Sequence, residues 1–320
     1  MIKNIAVLTS GGDSQGMNAC VNIIVKAASF NYINVFAVYN GYQGLIDDKI
    51  QPITYDEVRN ISHLGGTVLK SARSQEFMTV EGQHKAVANL KKHHIDALIV
   101  IGGDGSFRGV MDLNELGVKT IAIPATIDND LEYTDNTLGF DSAVNVATNA
   151  IECIKQTMAA LDRCSVIEVM GRHCGDIALY SAAACACDVV VIPEKPITPE
   201  QIIEKVRNAR ERGILSPTVV VSEHLLDIEE LAKRISREVN VETKTDILGY
   251  IQRGGAPSVK DRMLALEFGV KAIELLVSGK HNRAIGIRNN KIIDLSMEAA
   301  LYAPSRFNEV LYDLFEKLNS

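Results

Sequence analysis

The sequence of 320 residues lacks an excess of positive charge. It has 33 lysines and arginines against 40 aspartates and glutamates, which gives a formal net charge of −7. Nucleic acids and anionic membrane surfaces are bound by basic patches, so partners of either kind are largely excluded. No uninterrupted apolar stretch approaches the roughly 20 residues needed to span a bilayer, and the first residues lead into a glycine turn without a signal-peptide pattern. We therefore expect a soluble, cytoplasmic protein.

Cysteine and histidine are also scarce. Six cysteines are too few for a disulfide scaffold in a chain of this length. Cys185 and Cys187 are separated by one residue, which is the wrong spacing for a zinc knuckle, and we expect no metal there. None of the seven histidines has a histidine partner at i+4, and no Gly-x-Ser-x-Gly elbow occurs. Zinc chemistry and nucleophilic hydrolysis are therefore not favoured.

Short apolar segments, each followed by a polar turn and a helical pattern, predict an α/β fold. The predicted strands cover residues 5–8, 97–101, 120–123, 165–170, 189–192, 218–222 and 247–251. Such segments lack polar alternation, as strands of a parallel sheet buried on both faces do. The pattern recurs in both halves of the chain, which indicates two similar α/β lobes that meet near residues 138–145.

In open α/β sheets, ligands bind beyond the carboxyl ends of the strands, so the turns after these strands are the candidate site. Gly11 and Gly12 follow the first strand, where they allow backbone N–H groups and a helix N-terminus to approach a phosphate. The segment matches neither a Walker A loop nor a GxGxxG fingerprint, so a plain strand–helix turn remains an alternative.

The turn Ile-Gly-Gly-Asp-Gly-Ser, residues 101–106, sets a carboxylate among glycines. Asp104 beside a phosphate is reasonable if Mg²⁺ bridges the two. The alternative is that Asp104 is an ordinary helix cap.

The turn at residues 124–130 brings Thr126, Asp128 and Asp130 together after another strand. Asp128 fits the positioned base that phosphoryl transfer needs, oriented by Thr126 and Asp130. A simple Asx turn is the alternative.

Three arginines adjoin glycine turns, a setting for bidentate contacts with anions. They are Arg73, Arg172 and Arg253. For any one of them alone, a solvated surface arginine is an equally good interpretation.

Six motifs together resemble bacterial ATP-dependent 6-phosphofructokinase, in the order and approximate spacing of that family. They are LTSGGDSQGMNA, GGTVLKSAR, IGGDGS, TIDND, EVMGRHCGD and IQRGG, and they extend over nearly the whole chain. The resemblance implies two Rossmann-like lobes, each a mostly parallel sheet flanked by helices. It also implies a homotetramer with sites between subunits, which uses ATP, fructose 6-phosphate and Mg²⁺.

The resemblance further implies which residues act. Residues 1–138 plus 251–300 would form an ATP-binding lobe, and residues 139–250 plus 301–320 a sugar-phosphate-binding lobe. The nucleotide would be held by Gly12, Arg73, Ser74, Gly103, Asp104, Gly105 and Ser106, with Mg²⁺ on Asp104. Catalysis would involve Asp128, as acceptor of the proton from the sugar 1-hydroxyl, together with Thr126, Asp130 and Arg172. The sugar phosphate would contact Thr126, Asp128, Arg163, Met170, Gly171, Arg172, Glu223, Lys244, Tyr250 and Arg253.

The phosphoryl donor is predicted from small residues in the nucleotide turns. Pyrophosphate-using relatives typically carry Asp at the position of Gly105 and Lys at that of Ala125. Glycine leaves room for the α-phosphate of a nucleotide, so Gly105, together with Gly109, favours ATP.

The sequence departs from the family at the sugar-phosphate and effector positions. Lys244 and Tyr250 replace the usual Arg and His, which predicts a raised KM for fructose 6-phosphate, with tagatose 6-phosphate as an alternative substrate. The effector positions correspond to Asn22, Lys26, Tyr55, Lys155, Arg212 and Ile214, of which only three are cationic. We therefore expect weak or absent allosteric control. A pyrophosphate-dependent enzyme and a catalytically weak paralogue that senses nucleotide or sugar phosphate remain alternatives.

Overall fold

The structure is a computed structural model that describes residues 2–320. Its strands are β1 (Asn4–Thr9), β2 (Asn34–Val38), β3 (Ile50–Ile53), β4 (Ala97–Gly102), β5 (Thr120–Pro124), β6 (Cys164–Val169), β7 (Val189–Val191), β8 (Thr218–Ser222), β9 (Thr243–Ile247), β10 (Arg283–Arg288) and β11 (Lys291–Ser296). Its helices are α1 (Met17–Phe30), α2 (Gly41–Ile46), α3 (Tyr55–Val58), α4 (Val80–Lys92), α5 (Asp104–Glu115), α6 (Phe140–Ala159), α7 (Asp176–Ala184), α8 (Pro199–Glu211), α9 (Ile228–Val239), α10 (Val259–Val277), α11 (Met297–Leu301) and α12 (Glu309–Asn319). None of the helices within residues 2–320 is both long and apolar enough to cross a membrane.

The chain divides into two compact units. Unit 1 comprises the chain up to Ser142 together with Arg253–Ser305, and unit 2 comprises Ala143–Gln252 and Arg306–Ser320. The chain passes from unit 1 into unit 2 within α6.

Unit 1 is built on a seven-stranded sheet in the order β11-β10-β5-β4-β1-β2-β3. The five central strands are parallel. The outermost strands, β3 and β11, each run antiparallel to their neighbour. Side chains of β1 alternate between two cores: Ile5 and Val7 pack with α1 and α10, while Ala6 and Leu8 pack with α4 and α5. Both faces of the sheet are therefore covered by helices, which is why its central strands are continuously apolar.

Unit 2 contains a fully parallel sheet in the order β7-β8-β6-β9. Cys164 and Val166 of β6 pack in a core with side chains of α8 and α9, among them Val206 and Ile235. This second sheet completes the predicted α/β class, since both units have mainly parallel strands flanked by helices.

Six of the seven predicted strands are confirmed to within about a residue, but the strand predicted at residues 247–251 is wrong. Strand β9 ends at Ile247, and Gly249–Arg253 forms a 3₁₀ turn. Gly249 has φ of +51°, which ends an extended strand, and Ile251 is 59% exposed rather than in a core. The apolar residues of this segment therefore lie mostly in a turn and not in a strand.

A buried carboxylate fixes the start of α6. Asp261 is 1% exposed and accepts hydrogen bonds from the backbone N–H groups of Gly139 (3.1 Å) and Ser142 (2.9 Å) and from the Ser142 hydroxyl (2.5 Å). N–H groups at a helix start have no partner within the helix, so this side chain satisfies them. Burial raises the pKa of Asp261 from 3.8 to about 6, although the Ser142 and Gly139 donors oppose that rise.

The raised pKa of Asp261 predicts how the stability of the protein depends on pH. Its carboxyl titrates near 3.8 when unfolded and at about 6 when folded, so the native state binds more protons between these values. Stability therefore falls as pH rises through this window. Relative to Asp261→Asn, we expect the free energy of unfolding of the unaltered protein to drop by about 3 kcal/mol between roughly pH 4 and pH 7, measured by urea denaturation.

Asp294 offers a control of opposite sign. Burial raises the pKa of Asp294. The hydrogen bond and charge of Arg283, together with the charge of Lys271, lower this pKa by a larger amount, so it lies below its usual value. The stability that Asp294 contributes is present above its unfolded pKa and is lost as pH falls through its folded value. Equal slopes for the Asp261→Asn and Asp294→Asn comparisons would contradict the assignment.

Candidate active site

The three turns that the sequence singles out in unit 1 lie where the parallel strands of its sheet end, that is, at the carboxyl edge of the sheet. Strands β1, β4 and β5 are parallel neighbours, with Thr9 opposite Ile101 and Gly102 opposite Pro124. Backbone hydrogen bonds of 3.0 Å, from Ser10 N to Ile101 O and from Ala125 N to Gly102 O, hold the turns together. The sheet therefore brings these turns side by side, although they are distant in sequence.

The turn after β1 carries an ion pair. Arg253 Nη2 lies 2.6 Å from Asp13 Oδ1, and Arg253 Nε donates to the Asp13 carbonyl at 3.2 Å. A Cβ on Gly12 would lie 2.5 Å from Arg253 Nη2, so glycine makes room for the guanidinium. Arg253, expected among the sugar-phosphate ligands, therefore lies in unit 1 against the glycine turn.

The turn after β4 leads directly into α5. Asp104 occupies the first helical turn, and Arg108 binds its carboxylate through Nε (3.0 Å) and Nη2 (3.2 Å). This carboxylate raises the pKa of Arg108, mainly through the hydrogen bond. A Cβ on Gly105 would meet nothing within 4 Å, whereas the Ser106 side chain is buried. The turn thus presents an open helix N-terminus beside one carboxylate.

Two residues that the sequence assigns to nucleotide recognition have packing roles. Tyr42 and Phe77 stack with ring centroids 4.1 Å apart, and a Cβ on Gly109 would lie 2.8 and 2.9 Å from these rings. Ser74 accepts a hydrogen bond from Phe77 N at 3.0 Å and donates to Gln43 at 2.7 Å. Gly109 is thus explained by packing and says nothing about the phosphoryl donor.

The turn after β5 is braced by its own side chains. Asp128 N donates to Thr126 Oγ1 at 3.2 Å, and the Thr137 hydroxyl donates to the Thr126 carbonyl at 2.6 Å. Asn129, with φ of +55°, accepts from Thr137 N at 3.1 Å. Thr126 therefore contacts the backbone of Asp128 directly, while Asn129 and Thr137 are supports that the sequence does not reveal.

In unit 2, the turn after β6 is held by two side chains. Glu223 Oε1 accepts from Gly171 N (3.2 Å) and Arg172 N (2.8 Å), and Gln252 Oε1 accepts from Met170 N (3.2 Å). Gly171 has φ of +153°, and a Cβ there would lie 2.3 Å from the Cys174 carbonyl oxygen. The predicted residues Met170, Gly171, Arg172 and Glu223 thus form one group, with buried Gln252 as an additional support.

Arg163 and Lys244, at adjacent strands of unit 2, share one carboxylate. Glu242 lies 2.7 Å from Arg163 Nε and 3.0 Å from Lys244 Nζ, and hydrogen bonds from Arg163 and then Lys244 lower its pKa. Lys244 also lines a cavity of about 600 Å³ with Lys233 and Arg237. Two predicted phosphate-binding cations therefore lie together, bridged by a residue that the sequence analysis missed.

The remaining predicted residues are dispersed or engaged elsewhere. Arg73 and Tyr250 are exposed, Tyr250 at 80%. Among the effector positions, Asn22 is buried and donates to Val58 O at 2.7 Å, and Lys155 donates to the Ala186 carbonyl at 3.0 Å. These two side chains serve the fold.

Residues 4–276 match the sequence model of the family described as phosphofructokinase. Because the match covers well over half of the chain, this protein belongs to the phosphofructokinase family. The chain is similar to two proteins named ATP-dependent 6-phosphofructokinase. It is 45% identical to the one from Bacillus subtilis (strain 168) and 43% identical to the one from Clostridioides difficile (strain 630), each over 318 residues, 99% of this chain and 100% of the relative.

Solved structures show the same fold. A phosphofructokinase chain from Saccharomyces cerevisiae matches with a TM-score of 0.86 and 32% identity over 99% of this chain, which spans 47% of the yeast chain. A pyrophosphate-dependent phosphofructokinase from Marinobacter aquaeolei also has a TM-score of 0.86, at 22% identity, over 96% of this chain and 86% of its own. Because its identity is only 22%, the second match shows similarity of fold alone.

The packing around Gly109 predicts the outcome of two matched substitutions. Gly109→Ala would place a methyl group against the stacked rings, and we expect it to lower the free energy of unfolding by about 1–3 kcal/mol. Gly105→Ala, on the same helix but in open space, should leave stability unchanged or raise it by up to about 1 kcal/mol. Urea denaturation of both variants tests this, and equal stabilities would contradict the packing role of Gly109.

Proposed function

We propose that this protein transfers a phosphoryl group from ATP to the 1-hydroxyl of fructose 6-phosphate, giving fructose 1,6-bisphosphate and ADP. The observation that carries the proposal is the set of three turns at one edge of the sheet in unit 1, with glycines, Asp104 and Asp128 at the positions of the family motifs. Full-length identity of 43–45% to proteins named for this activity supports it. The reaction is a step of glycolysis, and we place it in the cytoplasm on that ground.

Unit 1 is the proposed nucleotide-binding lobe. Gly12, Gly103 and Gly105 leave backbone N–H groups accessible, and the N-terminus of α5 offers positive partial charge to phosphate. Buried Ser106 closes the first turn of this helix, and exposed Arg73 supplies a cation. Ser74 contributes by fixing the segment that carries Arg73.

The residues present fit a magnesium ion. Mg²⁺ is bound in kinases by one or two carboxylates plus substrate phosphates, rather than by a protein cage. Asp104 supplies one such hard oxygen ligand beside the open space at Gly105, and no group of three or more potential ligands occurs within residues 2–320. When bound, the ion would neutralise charge on the phosphates, and Arg108 would then hold and orient the Asp104 carboxylate.

Asp128 is the proposed proton acceptor. The attacking hydroxyl must lose its proton as its oxygen bonds to phosphorus, and a positioned carboxylate accepts that proton. Thr126 and Asp130 lie in the same turn and set the position of Asp128. Arg172 would stabilise negative charge on the transferred phosphoryl group.

Unit 2 is the proposed sugar-phosphate lobe. The group formed by Met170, Gly171, Arg172 and Glu223 would bind the sugar, and Arg163 and Lys244 would bind the 6-phosphate. By analogy with the family, the latter pair would act on a neighbouring subunit of a homotetramer, together with Tyr250 and Arg253. Effector control is proposed to be weak, since Asn22 and Lys155 are engaged in the fold.

ATP is the proposed donor because small residues line the nucleotide turns. Nothing lies within 4 Å of a Cβ on Gly105, so glycine is not required there by packing, in contrast to Gly109. Ala125 is buried and small. A side chain that would compete with a nucleotide is therefore missing where pyrophosphate-using relatives carry one.

Initial rates with Mg²⁺ test the assignment. ATP and pyrophosphate are crossed with fructose 6-phosphate and tagatose 6-phosphate. We expect turnover with ATP and fructose 6-phosphate, and a KM for the sugar that falls in Tyr250→His. Preference for pyrophosphate or tagatose 6-phosphate would select the corresponding alternative enzyme, and binding without turnover would select a sensor protein.

The role of Asp128 predicts a separate result. Asp128→Asn keeps the shape of the side chain but cannot accept the proton, so kcat should fall by about 10²–10⁴-fold, with little change in the KM for ATP. Asp162→Asn, an exposed turn residue of unit 2 with φ of +51°, serves as the matched control and should retain full activity. Undiminished turnover in Asp128→Asn would overturn the mechanism.

A further inference from the structure

A second cavity in unit 1 lies away from the turns of the proposed active site. It has a volume of about 590 Å³, within the range of small-molecule sites. Its lining residues include Lys3, Ile33 and Lys119, which directly precede strands β1, β2 and β5. Because these strands are parallel, their first residues share the edge of the sheet opposite to the active-site turns.

The lining of this cavity is cationic in a protein with a net charge of −7. Lys3, Lys119, Lys280 and His281 line it, and no aspartate or glutamate does so among the described residues. None of these four side chains takes part in the ion pairs found within residues 2–320.

The acids that interact with these lysines, Asp96 and Asp294, lie outside the lining. Asp96 accepts hydrogen bonds from the backbone N–H groups of Lys3 (2.7 Å) and Asn4 (3.0 Å). Asp294 pairs with Arg283 at 2.8 Å and with Lys271 at 3.6 Å. Lys119 also interacts electrostatically with Asp96, and Lys280 with Asp294. The five cations Lys3, Lys119, Lys271, Lys280 and Arg283 nevertheless exceed these two carboxylates by three charges.

The negative partial charge of nearby helix C-termini offsets only part of this positive charge. Helices α1 and α10 end at Phe30 and Val277, next to lining residues, and α5 ends at Glu115, four residues before Lys119. Each C-terminus carries about half a negative charge, so three ends offset roughly 1.5 charges. The excess of three positive charges over Asp96 and Asp294 is larger than that sum, so positive potential remains for an anion.

The cavity also has an apolar side. Ile33 and Leu276 are buried, whereas Val277 is 56% exposed and Tyr32 is 95% exposed. Tyr32 has φ of +57°, which is uncommon for a bulky side chain. An exposed ring beside lysines suits a ligand that joins a planar group to phosphates, because the ring stacks and the lysines pair with charge.

We propose that this cavity binds a nucleoside polyphosphate, with its phosphates toward Lys119 and Lys280 and its base against Tyr32. The site differs from the proposed substrate site, since the two lie at opposite edges of one sheet. A nucleotide bound here would occupy the protein without taking part in phosphoryl transfer.

The absence of tryptophan from the sequence provides a local test. Tyr32→Trp introduces one fluorophore at an exposed position of the cavity. Titration with ATP should give a saturable fluorescence change, and adenosine or tripolyphosphate alone should bind at least tenfold more weakly. ATP and tripolyphosphate with equal affinity would overturn the assignment to a nucleotide.

A matched pair of variants separates this cavity from the active site. In the Tyr32→Trp background, Lys119→Gln with Lys280→Gln should weaken ATP binding at least tenfold, while turnover of ATP and fructose 6-phosphate is retained. Lys91→Gln with Lys317→Gln removes the same charge from exposed positions outside the cavity and should change neither property. A fluorescence change that survives the loss of Lys119 and Lys280 would report nucleotide bound elsewhere and would overturn the proposal, as would no change at all.

Discussion

The parallel pairing of β1, β4 and β5 is the constraint on which the chemistry of unit 1 depends. Parallel strands must be joined by crossover helices, so their carboxyl ends meet at one edge and each leads toward a helix N-terminus. The register that sets Thr9 opposite Ile101 and Gly102 opposite Pro124 brings the glycine turns and the Asp128 turn together. A slip of one residue would turn every buried side chain of the slipped strand to the other face.

Carboxylates hold most of the cations that the proposed reaction needs. Asp13 pairs with Arg253, and Glu242 pairs with both Arg163 and Lys244. Such pairs are partly exposed and individually weak, so a phosphate can replace the carboxylate at small cost. Each acid thus keeps its cation oriented before substrate arrives, which reduces the ordering that binding requires.

The sequence predicts this fold where burial is continuous and fails where it is not. Strands β1, β4 and β8 have apolar residues at their centres and are buried almost throughout, so they were identifiable. Strand β9, with the sequence TKTDI, is the outermost strand of its sheet and only partly buried, and it was missed. At the site, Arg108 lies four residues after Asp104 on one helix, a spacing that could have revealed the pair. Gln252 carries no such signal, because its contact with Met170 spans 82 residues.

The two edges of the sheet in unit 1 require different chemistry to bind phosphate. At the carboxyl edge, helix N-termini supply N–H donors and positive partial charge, so glycines that leave the backbone open contribute most. At the amino edge, helix C-termini present carbonyl oxygens and negative partial charge, so an anion can bind only if side chains reverse the local potential. The proposed second nucleotide site therefore relies on lysine side chains, whereas glycines suffice at the proposed active site. The two sites lie at opposite ends of the same strands.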